Sequence, residues 1–466
     1  MRGDIVQHRS DGAVARSGAA HRDAPGRRLA PTRLWASLFW LVAAAGLGAT
    51  IGVDAASESR GALAAAGGWE TAAGQLTGLV GAYLMMLMVL FMARLPFLER
   101  AMGQDILVRW HRRIGGWPIL LIALHAVLVT VGYGTQDRTN ALGQLGTLLK
   151  SYPDVLAATV AFGLLVMVGV TSYRRARRRM RYETWWTAHL YTYLALCLAF
   201  PHQLADGQSF VGHPFTVIWW SVMWAATAGT VIVYRLGLPV WRSLYHRLRV
   251  VDVAEEGPGV YSIVCAGRHI ERLAVSGGQF FSWHFMRLGL WWQAHPYSLS
   301  ALPSPPYLRV TVKDLGDHSR SLRDLQPGTW VGIEGPYGAF TPHVRSHDKV
   351  LLVAAGVGVT PVRALLEDLP STVDVVVVVR ASQRQELIFR DEIASLVAER
   401  RGRLHELVGD RTRVALDAQM FRALVPDLHR RDVYVCGPQG FSNAVADALR
   451  DAGAAPERIH HEDFAF

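Results

Sequence analysis

Four histidines set in apolar sequence are the residues whose types and spacing bear most directly on chemistry. His111 and His125 bracket the end of WHRRIGGWPILLIALH, and His189 and His202 bracket HLYTYLALCLAFPH. An ionisable side chain inside a membrane span is costly and marks a functional position by default. One such histidine is as readily a helix–helix hydrogen bond; two helices carrying a pair each are harder to explain that way. At about 1.5 Å of rise per residue, the spacing of His111 and His125 covers roughly 21 Å and returns to within about 40° of the same helix face. His189 and His202 sit one residue closer, and an ideal helix would then miss the face by about 140°. That helix is expected to bend or unwind, with Pro201 as the expected cause. One histidine from each helix at each of two levels is the donor set for two stacked bis-histidine hemes, six-coordinate and suited to electron transfer. Zinc, which gathers four ligands around one centre, fits two separate pairs less well. Gly115 and Gly116 would let a macrocycle approach the backbone, although small residues serve plain helix packing equally.

Such histidines require helices in a bilayer. The chain has 466 residues, 51% of them hydrophobic, too oily for an ordinary soluble enzyme and too long for one small domain. Apolar stretches near the spanning length of about 20 residues fall at 35–53, 72–93, 114–133, 154–173, 184–200 and 214–234. From about residue 245 these runs give way to short Val-rich strands, Gly/Pro turns and helical patterns. Six spans followed by a soluble C-terminal half are therefore expected.

The net charge of +10 is placed as a topology signal, which argues against nucleic acid as a partner. Arginines crowd the N-terminal tail, the second loop (Arg94, Arg100, Arg109, Arg112, Arg113) and the fourth loop, YRRARRRMRYE. The first, third and fifth loops offer Arg60, Arg138 and Lys150. Basic loops on alternate sides put both termini in the cytoplasm of a multi-pass protein of the cell membrane. The Arg/Ala/Gly-rich tail, residues 1–33, is expected to be disordered. Its GRRLAP could pass for a twin-arginine signal, but the apolar run that follows is long for a signal peptide, which favours a retained first helix. Cys197, Cys265 and Cys436 lie too far apart to suggest a disulfide framework or a four-cysteine metal site.

In the soluble half, HPYSLS places His295 to approach a phosphate, Pro296 beside it, Tyr297 to cover a flat ring and Ser298 to hydrogen-bond a ring nitrogen. VTVKDLGDHSRSL then offers Lys313, His318 and Ser319 around a glycine turn suited to a pyrophosphate, and GPYGAF follows as a tight turn. In KVLLVAAGVGVTPVRALLEDL an apolar strand enters the turn Gly356–Val357–Gly358, then Thr360, Pro361 and a helix. Proline suits the first helical turn, and the bare helix N-terminus with its glycine backbone is a diphosphate cradle. The next strand ends at Arg380, with Arg384 beyond, where basic groups favour a ribose 2′-phosphate and so NADPH over NADH. DVYVCGPQGF ends a buried strand at Cys436, Gly437 and Pro438; Cys436 is a candidate nicotinamide contact. The terminal Phe466 is a candidate shield stacked on a flavin.

The order HPYSLS, GVGVTP, CGP and a terminal aromatic resembles the ferredoxin–NADP reductase fold. Joined to six spans with two histidine pairs, the chain is similar to the ferric reductase and NADPH oxidase superfamily over about residues 35–466. The resemblance implies a six-helix heme domain (34–240), an antiparallel FAD-binding β-barrel (245–343) and an α/β NAD(P)H-binding domain (346–466). It also implies His111 with His189 on an inner b-type heme, and His125 with His202 on an outer one. FAD would lie on His295, Tyr297 and Ser298, and NADPH on Gly356, Gly358, Thr360, Pro361, Cys436 and Gly437. The implied activity carries electrons from NADPH through FAD and two hemes to O2, giving superoxide, or to ferric iron. Eukaryotic NADPH oxidases carry a further histidine one turn beyond the outer ligand, where this chain has Val129, so the resemblance leaves the acceptor open. Two rival readings are a membrane-anchored flavin reductase serving a partner protein and a heme redox sensor without turnover.

Overall fold

The computed structural model describes residues 32–287, 289–290, 293–410 and 414–463. Nearly all of the basic N-terminal tail, and Phe466, lie outside the described residues.

From Thr32 to His246 the regular elements are all helices. Proline opens several of its helices, at Pro96, Pro153 and Pro214, where the missing N–H costs nothing because the first turn leaves it unbonded anyway. Five helical segments are long and apolar enough to cross a membrane: Leu34–Ser57, Gly68–Met92, Ile106–Gln136, Asp154–Ser172 and Pro214–His246. The expected fifth span, 184–200, lies in helix Tyr182–Asp206, which has 25 residues but is outside that set. Its Trp, Tyr, Thr and His side chains make it less oily than its neighbours. Among the described residues, five of the six expected spans meet that length and composition.

The distortion expected at Pro201 is also placed differently. Tyr182–Asp206 stays helical with Pro201 inside it. The interruption falls in the other histidine-bearing element, where Gln104–Ile114 and Gly116–Gln136 meet at Gly115. The Gly115 N–H still donates to the carbonyl of His111 at 2.9 Å, so the two pieces continue one another. His111 belongs to the first piece and His125 to the second. Gly116–Gln136 packs along Gly68–Met92, and Tyr182–Asp206 packs along Pro153–Ser172.

The last apolar helix, Pro214–Val231, passes through a π-helical turn, Ile232–Gly237, into Leu238–His246. Arg247 alone then separates it from the first strand. Strands β1 (Leu248–Gly257), β2 (Val260–Ala266), β3 (Phe280–Phe285), β4 (His295–Ser298), β5 (Tyr307–Lys313) and β6 (Trp330–Tyr337) form an antiparallel sheet in the order β4-β3-β6-β1-β2-β5. An antiparallel bridge between Leu299 and Val310 ties its two end strands. Ile263, Phe281, Trp283, Phe285, Val310 and Ile333 fill the interior.

Strands β7 (Lys349–Ala355), β8 (Asp374–Ala381), β9 (Arg403–Val408), β10 (Asp432–Gly437) and β11 (Ile459–Asp463) form a parallel sheet in the order β11-β10-β7-β8-β9. Helices cover both faces, so β7 is apolar at every position from Val350 onward rather than at alternate ones. Val350, Leu352 and Ala354 join one core, and Leu351 and Val353 the other. Arg309 of β5 fastens the two soluble sheets together, with its guanidinium on both carboxylate oxygens of Glu392 at 2.8 and 2.7 Å.

The antiparallel sheet meets the helical half along β6. The Ile333 N–H donates to the Ser243 hydroxyl at 3.1 Å, and the Arg242 guanidinium donates to the Gly335 carbonyl. Arg235, on the π-helical turn, pairs with Glu334 at 2.9 Å. The Tyr337 hydroxyl donates to the same carboxylate at 2.8 Å. Arg94 covers the Tyr337 ring at 4.3 Å and pairs with Glu99 at 3.1 Å.

Candidate functional site

The histidines meet in two pairs. The ring centres of His111 and His189 are 5.9 Å apart, and those of His125 and His202 are 6.4 Å apart. A metal held by two imidazole nitrogens at about 2 Å each puts ring centres on the order of 6 Å apart, so both pairs have the separation of two axial ligands. The other ring nitrogen is engaged in all four. Nδ1 of His111 faces the Met88 carbonyl at 3.3 Å, and Nδ1 of His125 the Gly74 carbonyl at 2.8 Å. Nδ1 of His189 faces the Ser172 hydroxyl at 3.3 Å, and Nδ1 of His202 the Asp206 carboxylate at 2.9 Å. Fixing Nδ1 sets the tautomer and leaves Nε2 to bind a metal, the usual support of a histidine ligand. Among the described residues no cluster of three or more His, Cys, Asp or Glu could hold a bare metal ion. The donor set thus fits two six-coordinate hemes better than a protein-caged ion.

Neighbouring elements hold these rings in place. A Cβ on Gly78 would stand 2.6 Å from His125 Nδ1, so helix Gly68–Met92 approaches that ring only because residue 78 has no side chain. Val129 packs against the same helix, where a Cβ on Gly74 would meet it at 2.7 Å. At the other level Trp185 stacks on His189 with ring centres 5.2 Å apart, and Arg177 covers Trp185 at 4.6 Å. Arg112 and Arg113, beside His111, are exposed.

His295 and Tyr297 of β4 and His318 of the short helix Asp317–Ser321 form a column. The His295 and His318 rings stack at 3.5 Å, and those of His295 and Tyr297 at 6.2 Å. Pro296 between them is exposed. Ser298 is buried with its hydroxyl unbonded, and both nitrogens of His318 are likewise buried without a partner. A buried polar atom left unpaired costs free energy, so three such atoms beside an aromatic column fit a polar flat-ring ligand such as FAD. Burial first, and the adjacent His295 second, push the His318 ring down to about 4. Lys313 is exposed at the end of β5. Ser319 is engaged in its own turn, accepting from the Leu315 N–H at 2.8 Å and donating to the Gly316 carbonyl at 3.0 Å.

In the parallel sheet, the ends of β7 and β10 bring the two glycine motifs together. A Cβ on Gly358 would lie 2.3 Å from the Cys436 carbonyl oxygen and 2.7 Å from the Gly437 nitrogen. Glycine is therefore required at 358 for these turns to touch. Gly356, by contrast, has φ +56 and open space around it, leaving its backbone available to a diphosphate. Thr360 and Pro361 are buried in the first turn of helix Val359–Asp368, and the Thr360 hydroxyl donates back to the Val357 carbonyl at 2.9 Å. Cys436 and Gly437 are buried at the sheet's C-terminal edge, and Pro438 is exposed just beyond. Arg380 is buried, with Nη1 on the backbone carbonyls of Ala381 and Leu407 and Nη2 without a partner. Arg384 stands exposed in the following turn.

Sequence reasoning missed the four Nδ1 partners and the junction residues Arg94, Glu99, Arg235, Glu334 and Tyr337. The sequence places Asp206 four residues after His202, a spacing that shares a helix face. The tight turn GPYGAF did not reveal that Tyr337 and the preceding Glu334 face the helical half.

Three family models match the chain. The ferric reductase like transmembrane component matches residues 77–200, the FAD-binding domain 262–341 and the oxidoreductase NAD-binding domain 352–447. Among curated proteins, the glycine betaine monooxygenase reductase subunit of Chromohalobacter salexigens is 29% identical over 48% of this chain and 65% of its own length. An NADPH oxidoreductase of Mycobacterium tuberculosis is 28% identical over 49% of this chain and 63% of its own. The flavohemoprotein of Bacillus subtilis is 30% identical over 36% of this chain and 46% of its own. The chain thus spans less than two thirds of the length of each. Among solved structures, the FAD/NAD binding domain of nitric oxide dioxygenase from Vibrio cholerae is 26% identical, with a TM-score of 0.41, covering 47% of this chain and 98% of that one. With a ferric reductase-like membrane component followed by FAD-binding and NAD-binding domains along one chain, the protein belongs to the ferric reductase and NADPH oxidase superfamily.

Proposed function

We propose that the chain is a membrane NAD(P)H-dependent flavocytochrome b that moves electrons from cytoplasmic NADPH to an acceptor on the far side, O2 or a ferric chelate. The single observation that carries this reading is the pair of histidine tiers, each at axial-ligand separation and each with Nδ1 engaged. FAD, when bound, divides a two-electron hydride into single electrons of the kind heme carries.

The chain's own residues position and exclude. Tyr297 and His295 offer flat faces to a ring system, and Ser298 offers a buried hydroxyl to a ring nitrogen. Gly356, opening the short turn that runs into helix Val359–Asp368, offers its open backbone to a diphosphate. Gly358 draws the Cys436 turn against that cradle, so a nicotinamide held there would have a dry floor. His111 with His189, and His125 with His202, would hold the two hemes, which supply one-electron chemistry when bound. Electron relay of this kind calls for no acid–base pair or nucleophile, and none is assigned.

The membrane topology belongs to the same proposal. Tyr182–Asp206 is the sixth crossing helix, both termini are cytoplasmic, the membrane is the cell membrane, and the domains divide at 34–240, 245–343 and 346–466. A heme-free anchor for a flavin reductase would leave the histidine tiers without a purpose, and a sensor would leave the nucleotide cradle without one.

Optical spectroscopy of the purified chain tests the reading. The expected result is a bis-histidine b-type spectrum that NADPH and FAD reduce without oxygen, and that reoxidises when O2 or a ferric chelate is added. A protein without heme, or with heme that NADPH does not reduce, sinks the proposal. The faster of the two acceptors to reoxidise the outer heme identifies the physiological class.

A further inference from the structure

The four histidine ligands are not supported alike. His111 and His125 have backbone carbonyls at Nδ1, from Met88 and Gly74, and His189 has the Ser172 hydroxyl. These three groups are neutral. His202 has the carboxylate of Asp206 at 2.9 Å, from the last turn of the same helix. Both side chains are largely covered, at 23% and 22% exposure, so the pair is shielded from bulk water more than an open surface ion pair. Of the two tiers, the outer one alone has a formal negative charge hydrogen-bonded to a ligand ring.

A carboxylate accepting the Nδ1 proton draws that proton toward itself and makes Nε2 a stronger donor to metal. The added negative charge is closer to the outer iron than to the inner one, and in a low-dielectric surrounding its effect is larger than in water. Both effects favour Fe(III) over Fe(II) in the one-electron couple at that iron. A bare carbonyl or hydroxyl at Nδ1 has neither effect to the same degree.

We propose that Asp206 is a positioning residue that lowers the reduction potential of the outer iron through His202, making the outer centre a stronger reductant than its histidine pair alone would be. This rests on the reading of His125 and His202 as heme ligands. It assigns to the outer tier an electron handed onward rather than stored. It also suits an acceptor that is hard to reduce by one electron.

The test is a redox titration of the full-length, heme-loaded protein, followed by optical absorbance and by low-spin EPR. His125→Ala, which removes the outer heme, identifies which potential belongs to the inner one. Asp206→Asn is expected to raise the outer potential, to leave the inner one in place and to change the EPR anisotropy of the outer heme alone. Asp206→Glu keeps the charge and is expected to restore a potential near that of the parent protein. If Asp206→Asn fails to hold heme, Asp206→Ser supplies a neutral hydroxyl like that of Ser172 and is expected to raise the outer potential in the same way. Two hemes with an unchanged outer potential in the neutral variants, or an equal rise in Asp206→Glu, overturns the assignment of Asp206. A parent protein with no outer heme instead refutes the ligand reading, a failure distinct from the first.

Discussion

At position 318 a histidine has both ring nitrogens buried and unbonded, with its ring stacked on His295 at 3.5 Å. The sequence offered this residue as a phosphate contact; an unsatisfied ring in the free chain would gain a partner from a bound phosphate. The ring is held down to about 4, so it is neutral near pH 7. A bound diphosphate would stabilise the charged form and raise that value. Binding therefore takes up a proton, and affinity for FAD is expected to increase as the pH is lowered from 8 toward 6. His318→Ala should weaken FAD binding by about tenfold or more, the worth of one hydrogen bond to a charged group, and should flatten the pH dependence. Equilibrium dialysis with FAD across that range measures both, and a pH-independent affinity in the parent protein would remove His318 from the phosphate site. Residues of this kind were legible because histidine is rare in apolar or strand sequence. Asp206 was not, because a carboxylate near a helix end has many ordinary uses and only coordinates tell which side chain it faces.

Among the elements, the turn after β6 and the π-helical turn at Ile232–Gly237 were the least legible. A π-turn depends on one extra residue in a helix that is apolar on either side, and hydropathy does not register it. Its effect is local: it carries Arg235, which pairs with Glu334. Glu334, Tyr337, Arg94 and Glu99 then form a half-buried charged group between the flavin-binding sheet and the membrane helices. Removing one partner of such a group leaves the other charge buried and unpaired. Glu334→Gln is expected to slow heme reduction by NADPH at least severalfold, while reduction of a soluble dye by the flavin domain stays near the parent rate. Stopped-flow absorbance separates the two. Equal loss of both would mean that Glu334 supports folding of the sheet rather than its placement. Spacing alone put the distortion at Pro201, whereas that helix runs through Pro201 unbroken and a break falls at Gly115.

For the whole molecule, the order of domains was legible from composition and from short motifs, because hydropathy changes sharply near residue 245 and glycine turns follow apolar strands. The expected fifth span is less oily than the others: Tyr182–Asp206 carries Trp, Tyr and Thr side chains and both histidines proposed as heme ligands, which lower its hydropathy. Its crossing is tested by labelling. In a Cys197→Ala background, Arg138→Cys is expected to react with an impermeant maleimide on intact cells, and Arg178→Cys only after permeabilisation. Labelling of both from outside would break the alternation of basic and neutral loops on which the topology rests.

The packing of the histidine helices has one more consequence. Gly116–Gln136 leans on Gly68–Met92, and Tyr182–Asp206 leans on Pro153–Ser172, so a heme held between His125 and His202, as proposed, would join two helix pairs. A cofactor gripped from both sides would act as a rivet. Assembly and loading would then become a single event, and the mechanical integrity of the membrane half would depend on heme supply as well as on the sequence that folds it.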